Sequence, residues 1–199
     1  YRDDIKISKD IINRLVETYR RIRNPLRFLH AKLHDDFDAE ANAVPYEAMS
    51  YLDRWALSRL QRLIERVREA YETYAFHVIY HSIHNFCAVD LSALYLDIVK
   101  DRMYVEGRNS TRRRASQAVI YETLLTLVKL IAPILSFTAE EMWGYLQKPN
   151  KEESVLLGLF PETRREWISA EVEEDWERIW RLREVINKKI EEKRVEKVI

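Results

Sequence analysis

YLDRWALSRLQRLIERVREAYETY, residues 51–74, decides the fold. Within it Leu52, Trp55, Leu57, Leu60, Leu63, Ile64, Val67, Ala70, Tyr71 and Tyr74 return every three or four positions, the spacing of one helical face. No glycine or proline interrupts the stripe over roughly six turns. An apolar face of that length is stable in water only when other helices cover it. The composition agrees, because 199 residues carry only 3 glycines and 5 prolines while 47% are hydrophobic and 33% charged, the balance of long helices with few turns. The expected fold class is all-α, a helical bundle.

Working outward, Ser8 caps a helix with apolar positions Ile11, Ile12, Leu15, Val16, Tyr19 and Ile22, and Pro25 is expected to kink or end it. A second short helix is expected over 26–33. The acidic stretch HDDFDAEANAVP, 34–45, reads as a loop. Downstream, 76–87 forms an amphipathic helix, which Asp90 is expected to restart as a cap through Leu91, Leu94, Tyr95, Ile98 and Met103, with Gly107 closing it. Ser110 or Thr111 opens a further helix that Pro133 stops. Thr138 and Glu141 read as a capping box for a short helix bearing Met142, Trp143 and Leu146. From 147 to 167 the pattern is irregular, with SVLLGLFPE extended, and a last helix starts at Val172. The expected division is a bundle over 1–147, a connecting segment over 148–171 and a C-terminal helix over 172–199. With Tyr1 in place of a methionine and a charged helical pattern running to Ile199, the sequence reads as a piece of a longer chain.

Charge balances at 33 basic against 33 acidic residues, so any polyanion partner must be argued from distribution. The single cysteine, Cys87, excludes an internal disulfide and a cysteine cluster for zinc, and fits a reducing, cytoplasmic setting. No apolar run reaches the roughly 18–20 residues of a membrane span, and YRDDIKIS lacks the apolar segment of a signal peptide.

Few residues offer chemistry. His30 with His34, and His77 with His81 followed by His84, stand one helical turn apart and could face a metal, but neither pair lies in an HExxH arrangement. Cys87, one turn after His84, sits in apolar surroundings that suit a buried thiol better than a nucleophile. A glycine-rich phosphate loop, a GxSxG turn and a carboxylate pair are all missing, so no catalytic residue and no metal ligand is assigned. The basic sets carry more: Arg20, Arg21, Arg23 and Arg27 beside Asn24; Lys100 and Arg102; and Arg108 with Arg112, Arg113 and Arg114. Cations suit a helix C-terminus, which accounts for Lys100 and Arg102. At a helix N-terminus they oppose the dipole, so Arg112–Arg114 need another reason, which a polyanion supplies. The residues alone leave nucleic-acid binding and a protein-interaction bundle both open.

A resemblance narrows this. RRIRNPLRFLHAKLHDDFD at 20–38, VPYEAMSYLDRWALSRL at 44–60, FHVIYHSIHNFCAVDLSALYLDIVKDRMY at 76–104 and APILSFTAEEMW at 132–143 resemble, in order, bacterial-type isoleucyl-tRNA synthetases. ESVLLGLFPE at 153–162 and WERIWRLREVINKKIEEKR at 176–194 are similar to the family's next landmarks. The AEExW segment is shared with valyl- and leucyl-tRNA synthetases, whereas FCAVDLSALYLDIVKDRMY is selective for the isoleucine enzymes. Pro25 departs from the family's small or hydroxyl residue, and the 34–43 loop is slightly lengthened.

The resemblance implies the helical anticodon-binding domain that follows a class I catalytic core. It also implies, for the whole enzyme, ATP-dependent joining of isoleucine to its tRNA, with the editing of valine that one methylene's small binding energy makes necessary. The HIGH and KMSKS signatures and the editing insert are not in this sequence, so no cofactor is expected here. ATP with magnesium, and zinc in a C-terminal region, belong to the parent protein. The expected partners are the anticodon stem-loop of isoleucine tRNA and the catalytic and C-terminal domains of the same chain, in a cytoplasmic monomer. The expected RNA-facing residues are Arg23, Asn24, Arg27, Arg112 and Arg113, followed by Lys100 and Arg102.

Overall fold

The computed structural model describes residues 7–33, 37–146 and 150–196. Helix α1 spans Lys9–Ala31, α2 Tyr51–Glu72, α3 Phe76–Asn85, α4 Asp97–Val105, α5 Thr111–Ile131, α6 Ser136–Tyr145 and α7 Ala170–Val195. A π-helical segment, Phe86–Leu96, joins α3 to α4 without a break. No strand occurs among the described residues, and no described helix is long and apolar enough to cross a membrane.

Helix α2 is the axis of the molecule, meeting α3, the π-helical segment, α5 and α7. Its stripe is buried through Ala70, with Leu57, Leu60, Ile64 and Val67 within 1% of full burial, while Tyr74, expected in the same stripe, lies past the helix end and is 70% exposed. Each such aliphatic side chain contributes about 1.5–3 kcal/mol relative to exposure. Ser50 caps α2 by accepting the Asp53 N–H. At the other end Tyr74 takes φ 53°, and the Ala75 N–H closes onto the Ala70 carbonyl at 2.8 Å. That closure is a Schellman stop, at a position usually given to glycine.

Three local expectations are corrected. Pro25 does not end α1, which continues to Ala31 as one helix. The hydrogen bond lost at proline is outweighed because Ile22, Pro25, Leu26 and Leu29 are all buried on one face. Asp90 does not restart a helix. It lies inside the π-helical segment and binds Arg59 at 3.1 Å, while Ser92 Oγ donates to the Cys87 carbonyl at 2.6 Å. The capping box at Thr138 does not form: α6 begins earlier, at Ser136. Thr138 instead shares a hydrogen bond with the Tyr19 hydroxyl at 2.9 Å, and Glu141 is taken by Arg23.

The crossing segment is irregular, with 3-10 turns at Val155–Leu157 and Arg165–Trp167, yet it is strapped to the bundle. Trp143 Nε1 donates to the Glu152 carbonyl at 2.9 Å, Arg68 to the Pro161 carbonyl at 2.9 Å, and the Arg164 N–H to Gln61 at 2.8 Å. Ser169, capping α7, donates its N–H to the buried Ser58 at 3.0 Å. The first turns of α7 then dock through Trp176 and Trp180, which stack at 4.9 Å and meet Trp55 at 6.1 and 5.6 Å. The expected domain boundary at 147, residues 148 and 149, and the last three positions lie outside the described residues.

Candidate nucleic-acid interface

Asn24, Phe28 and Lys32 follow one another at four-residue steps along α1, and Lys100 and Tyr104 do the same on α4. Such steps place residues on one helical face. Lys32 Nζ donates to the Tyr104 hydroxyl at 2.5 Å, which clips the two helices together. The Lys32 carbonyl accepts from Gln117 at 3.1 Å, and Gln117 accepts from Arg114 at 2.9 Å. The chain of contacts therefore runs from α1 through α4 to the first turn of α5. One end of the bundle gathers these three helix segments.

The expected residues divide around this end. Asn24 and Arg27 are exposed, and among the described residues neither makes a side-chain hydrogen bond or ion pair. Lys100 is half-exposed beside Asp97 at 2.8 Å, and that hydrogen bond holds its ammonium above the ordinary range. Arg112 is 67% exposed and reaches Glu106 at 3.4 Å. Arg113 is partly buried, donating to the Glu106 carbonyl at 3.3 Å. Ser110, the α5 cap, also donates to the Glu106 carboxylate. Arg112 thus meets the Glu106 carboxylate and Arg113 its carbonyl, while Arg114 donates to Gln117 and Asn109.

Two expected residues point elsewhere. Arg23 binds Glu141 of α6 through both carboxylate oxygens at 3.0 Å, and that contact raises its pKa further. Arg102 is 11% exposed and buried against Asp53, which is fully enclosed. Its Nη1 lies 2.9 Å from Asp53 and 3.2 Å from both Ser50 and Ser116, while Tyr95 donates to the other Asp53 oxygen at 2.7 Å. Arg102 completes a satisfied polar network inside the bundle. Its Nη1 is spent on this network, and only 11% of its side chain is exposed.

Among the described residues the histidines form no convergent set. His34 lies outside the described residues, His30 packs on Tyr145 at 5.4 Å, and His81 and His84 contact Tyr80 at 4.8 and 5.7 Å. No group of three His, Cys, Asp or Glu side chains suited to a metal occurs among the described residues. Burial pushes the Cys87 thiol up to about 12, which disfavours the thiolate that a nucleophile needs.

A family model described as the anticodon-binding domain of tRNA ligase matches residues 53–199. The chain belongs to the anticodon-binding domain family of tRNA ligases. Relatives of this anticodon-binding domain include the isoleucine–tRNA ligases of Petrotoga mobilis, 48% identical over 199 residues, and Moorella thermoacetica, 51% identical over 197. That of Geobacter sulfurreducens is 49% identical over 199 residues. The similarity covers 98–100% of this chain but only 21–22% of each relative. The domain therefore spans about a fifth of the curated relatives it matches.

Three residues of the site carried no signal that marked them out: Phe28, Lys32 and Tyr104. Periodicity cannot tell an exposed aromatic from a core one. Tyr95 and Tyr104 lie in the same continuous helix, and the first is 1% exposed while the second is 67% exposed. The paired four-residue steps on α1 and α4 were the available clue, but they become a face only when the two helices are seen side by side.

Proposed function

We propose that the chain binds the anticodon stem-loop of isoleucine tRNA as part of an isoleucine–tRNA ligase. The parent enzyme joins isoleucine to its tRNA at the expense of ATP and edits valine, and its ATP–magnesium and zinc sites belong to parts of the protein beyond these residues. The observation that carries the reading is the first turn of α5. Thr111–Arg114 contains three arginines and no acidic residue, an arrangement the helix dipole disfavours in the absence of an anionic partner. Glu106 pairs with Arg112 of this turn.

Exposed Arg27 and Arg112, with Arg113 and Lys100, supply guanidinium and ammonium donors for phosphates. Asn24 supplies a donor and an acceptor for a base edge. Stem-loops offer both kinds of target, a charged backbone and unstacked bases. In this division the cations position the RNA and Asn24 contributes to reading it.

The test is affinity for isoleucine tRNA as a function of salt. Binding should fall steeply as salt rises because phosphate contacts release counterions. Arg112→Ala and Arg113→Ala should each weaken binding to all tRNAs and lower the slope of log affinity against log salt by about 1. Unchanged affinity and slope in both variants would refute this assignment, and no tRNA shift at low salt would favour a protein-interaction module instead.

A further inference from the structure

Beside Tyr104 lies a groove of about 430 Å³ between α1, the π-helical segment and α4, lined by Asn24, Pro25, Phe28, Ser92, Leu96, Asp97, Lys100 and Tyr104. Its size is within the range of small-ligand sites. Its walls are Pro25, Phe28, Leu96 and the Tyr104 ring, and its polar atoms sit at the rim. Tyr104 is held yet uncovered: 67% of it is exposed, while Lys32 Nζ stands 3.9 Å from its ring centroid and 5.0 Å from that of Phe28. A large ring held by Lys32 at its hydroxyl and over one face, and otherwise largely exposed, can serve as a stacking platform on its other face. Large apolar groups in helical bundles are otherwise buried by preference.

The groove's charge selects what stacks there. Asp97 lines it as a carboxylate, held below its usual range by hydrogen bonding to Lys100 and near Arg183 at 3.5 Å. Paired with Lys100 and Arg183, Asp97 leaves the groove close to neutral, and its apolar walls suit a flat, neutral group. At the rim Asn24 offers both a donor and an acceptor, Lys100 offers donors, and the Ser92 oxygen, whose proton goes to the Cys87 carbonyl, offers an acceptor.

We infer that this groove holds one unstacked nucleobase of the bound RNA loop, stacked on Tyr104 and hydrogen-bonded along its edge by Asn24. The inference rests on the anticodon reading and adds to it a specific base subsite and its platform residue. Phosphates stay on the arginine side, at Arg27 and the first turn of α5, and the base turns inward across α4. Lys32 positions the ring through its hydroxyl.

The test uses the full chain and synthetic hairpins carrying the isoleucine anticodon loop, intact or with one loop base removed at a time. Base stacking on an aromatic ring is lost on alanine substitution, so Tyr104→Ala should weaken the intact hairpin by about tenfold or more. Tyr104→Phe should retain most of that affinity, since the ring remains. At one loop position, removal of the base should cost wild type as much as Tyr104→Ala does, and should cost Tyr104→Ala nothing further. Full affinity in Tyr104→Ala, with Arg112→Ala still weakening binding, overturns the subsite and leaves the anticodon reading intact. Additive losses at every abasic position also overturn it. Failure of wild type to bind any hairpin at low salt removes the anticodon reading and the subsite together.

Discussion

Lys100 and Arg102 show what a single helical step decides. Two residues apart on an α-helix means about 200° of rotation, so one faces solvent and the other the core. Arg102 is enclosed with Asp53, Tyr95, Ser50 and Ser116. Removing one member of a buried ion pair strands the other, at roughly 3–5 kcal/mol. Arg102→Met should therefore lower stability by about that amount in urea unfolding, whereas Lys100→Met should leave the midpoint where it is. Equal midpoints for the two variants would show that Asp53 does not depend on Arg102. The sequence pattern could not separate these residues, since both are cations near the end of an apolar run. Asp53 was the missing clue: it falls 49 positions away on α2 and meets Arg102 only in the folded chain.

At the scale of elements, periodicity and end signals were strong where one helix sufficed to explain them. The stripe of α2 and the caps expected at Ser8 and at Ser110 or Thr111 follow from local chemistry, and the structure has Ser8 and Ser110 accepting helix N–H groups, as Ser50 does at the start of α2. Legibility ended where tertiary contacts overrode local preference. Pro25 is carried through α1 by burial, Asp90 is drawn to Arg59 within a π-helical segment, and Thr138 is drawn to Tyr19. The candidate site was partly legible for the same reason: Asn24, Arg27 and Arg112 are local features, but their assembly with Lys32 and Tyr104 needs helix packing. The start of α5 gives a test at this scale. Glu106 accepts from Ser110 and pairs with Arg112, and so acts as an internal counter-anion. Glu106→Gln should destabilise this helix start by about 1 kcal/mol, seen as faster amide exchange confined to Thr111–Arg114. It should also raise affinity for the RNA hairpin several-fold, because Arg112 no longer leaves an internal partner to bind phosphate. A variant that exchanges faster but binds RNA more weakly would show that Glu106 orders the interface instead of competing for it.

For the molecule as a whole, the strap over 150–169 and the start of α7 determine whether the bundle stands as a unit. Ser58 and Gln61 of α2 are buried polar side chains, and their partners come from the strap and α7: the Ser169 and Arg164 N–H groups and Glu173. Leaving such groups buried without a partner costs about 1–3 kcal/mol each. Peeling off the strap would also expose Trp55 and Val155, so strap and bundle are expected to unfold together. The tryptophans make this measurable. Trp55 and Trp143 sit on bundle helices, while Trp167, Trp176 and Trp180 sit on the strap and α7. Helical circular dichroism reports mostly on the bundle and tryptophan fluorescence mostly on its covering. In a two-state transition the two probes give one midpoint. Coincident urea curves are the expected result, with Trp176→Ala lowering both midpoints together. A fluorescence transition well ahead of the helical one would mean that the strap and α7 open independently, leaving Ser58 and Gln61 to water before the bundle gives way.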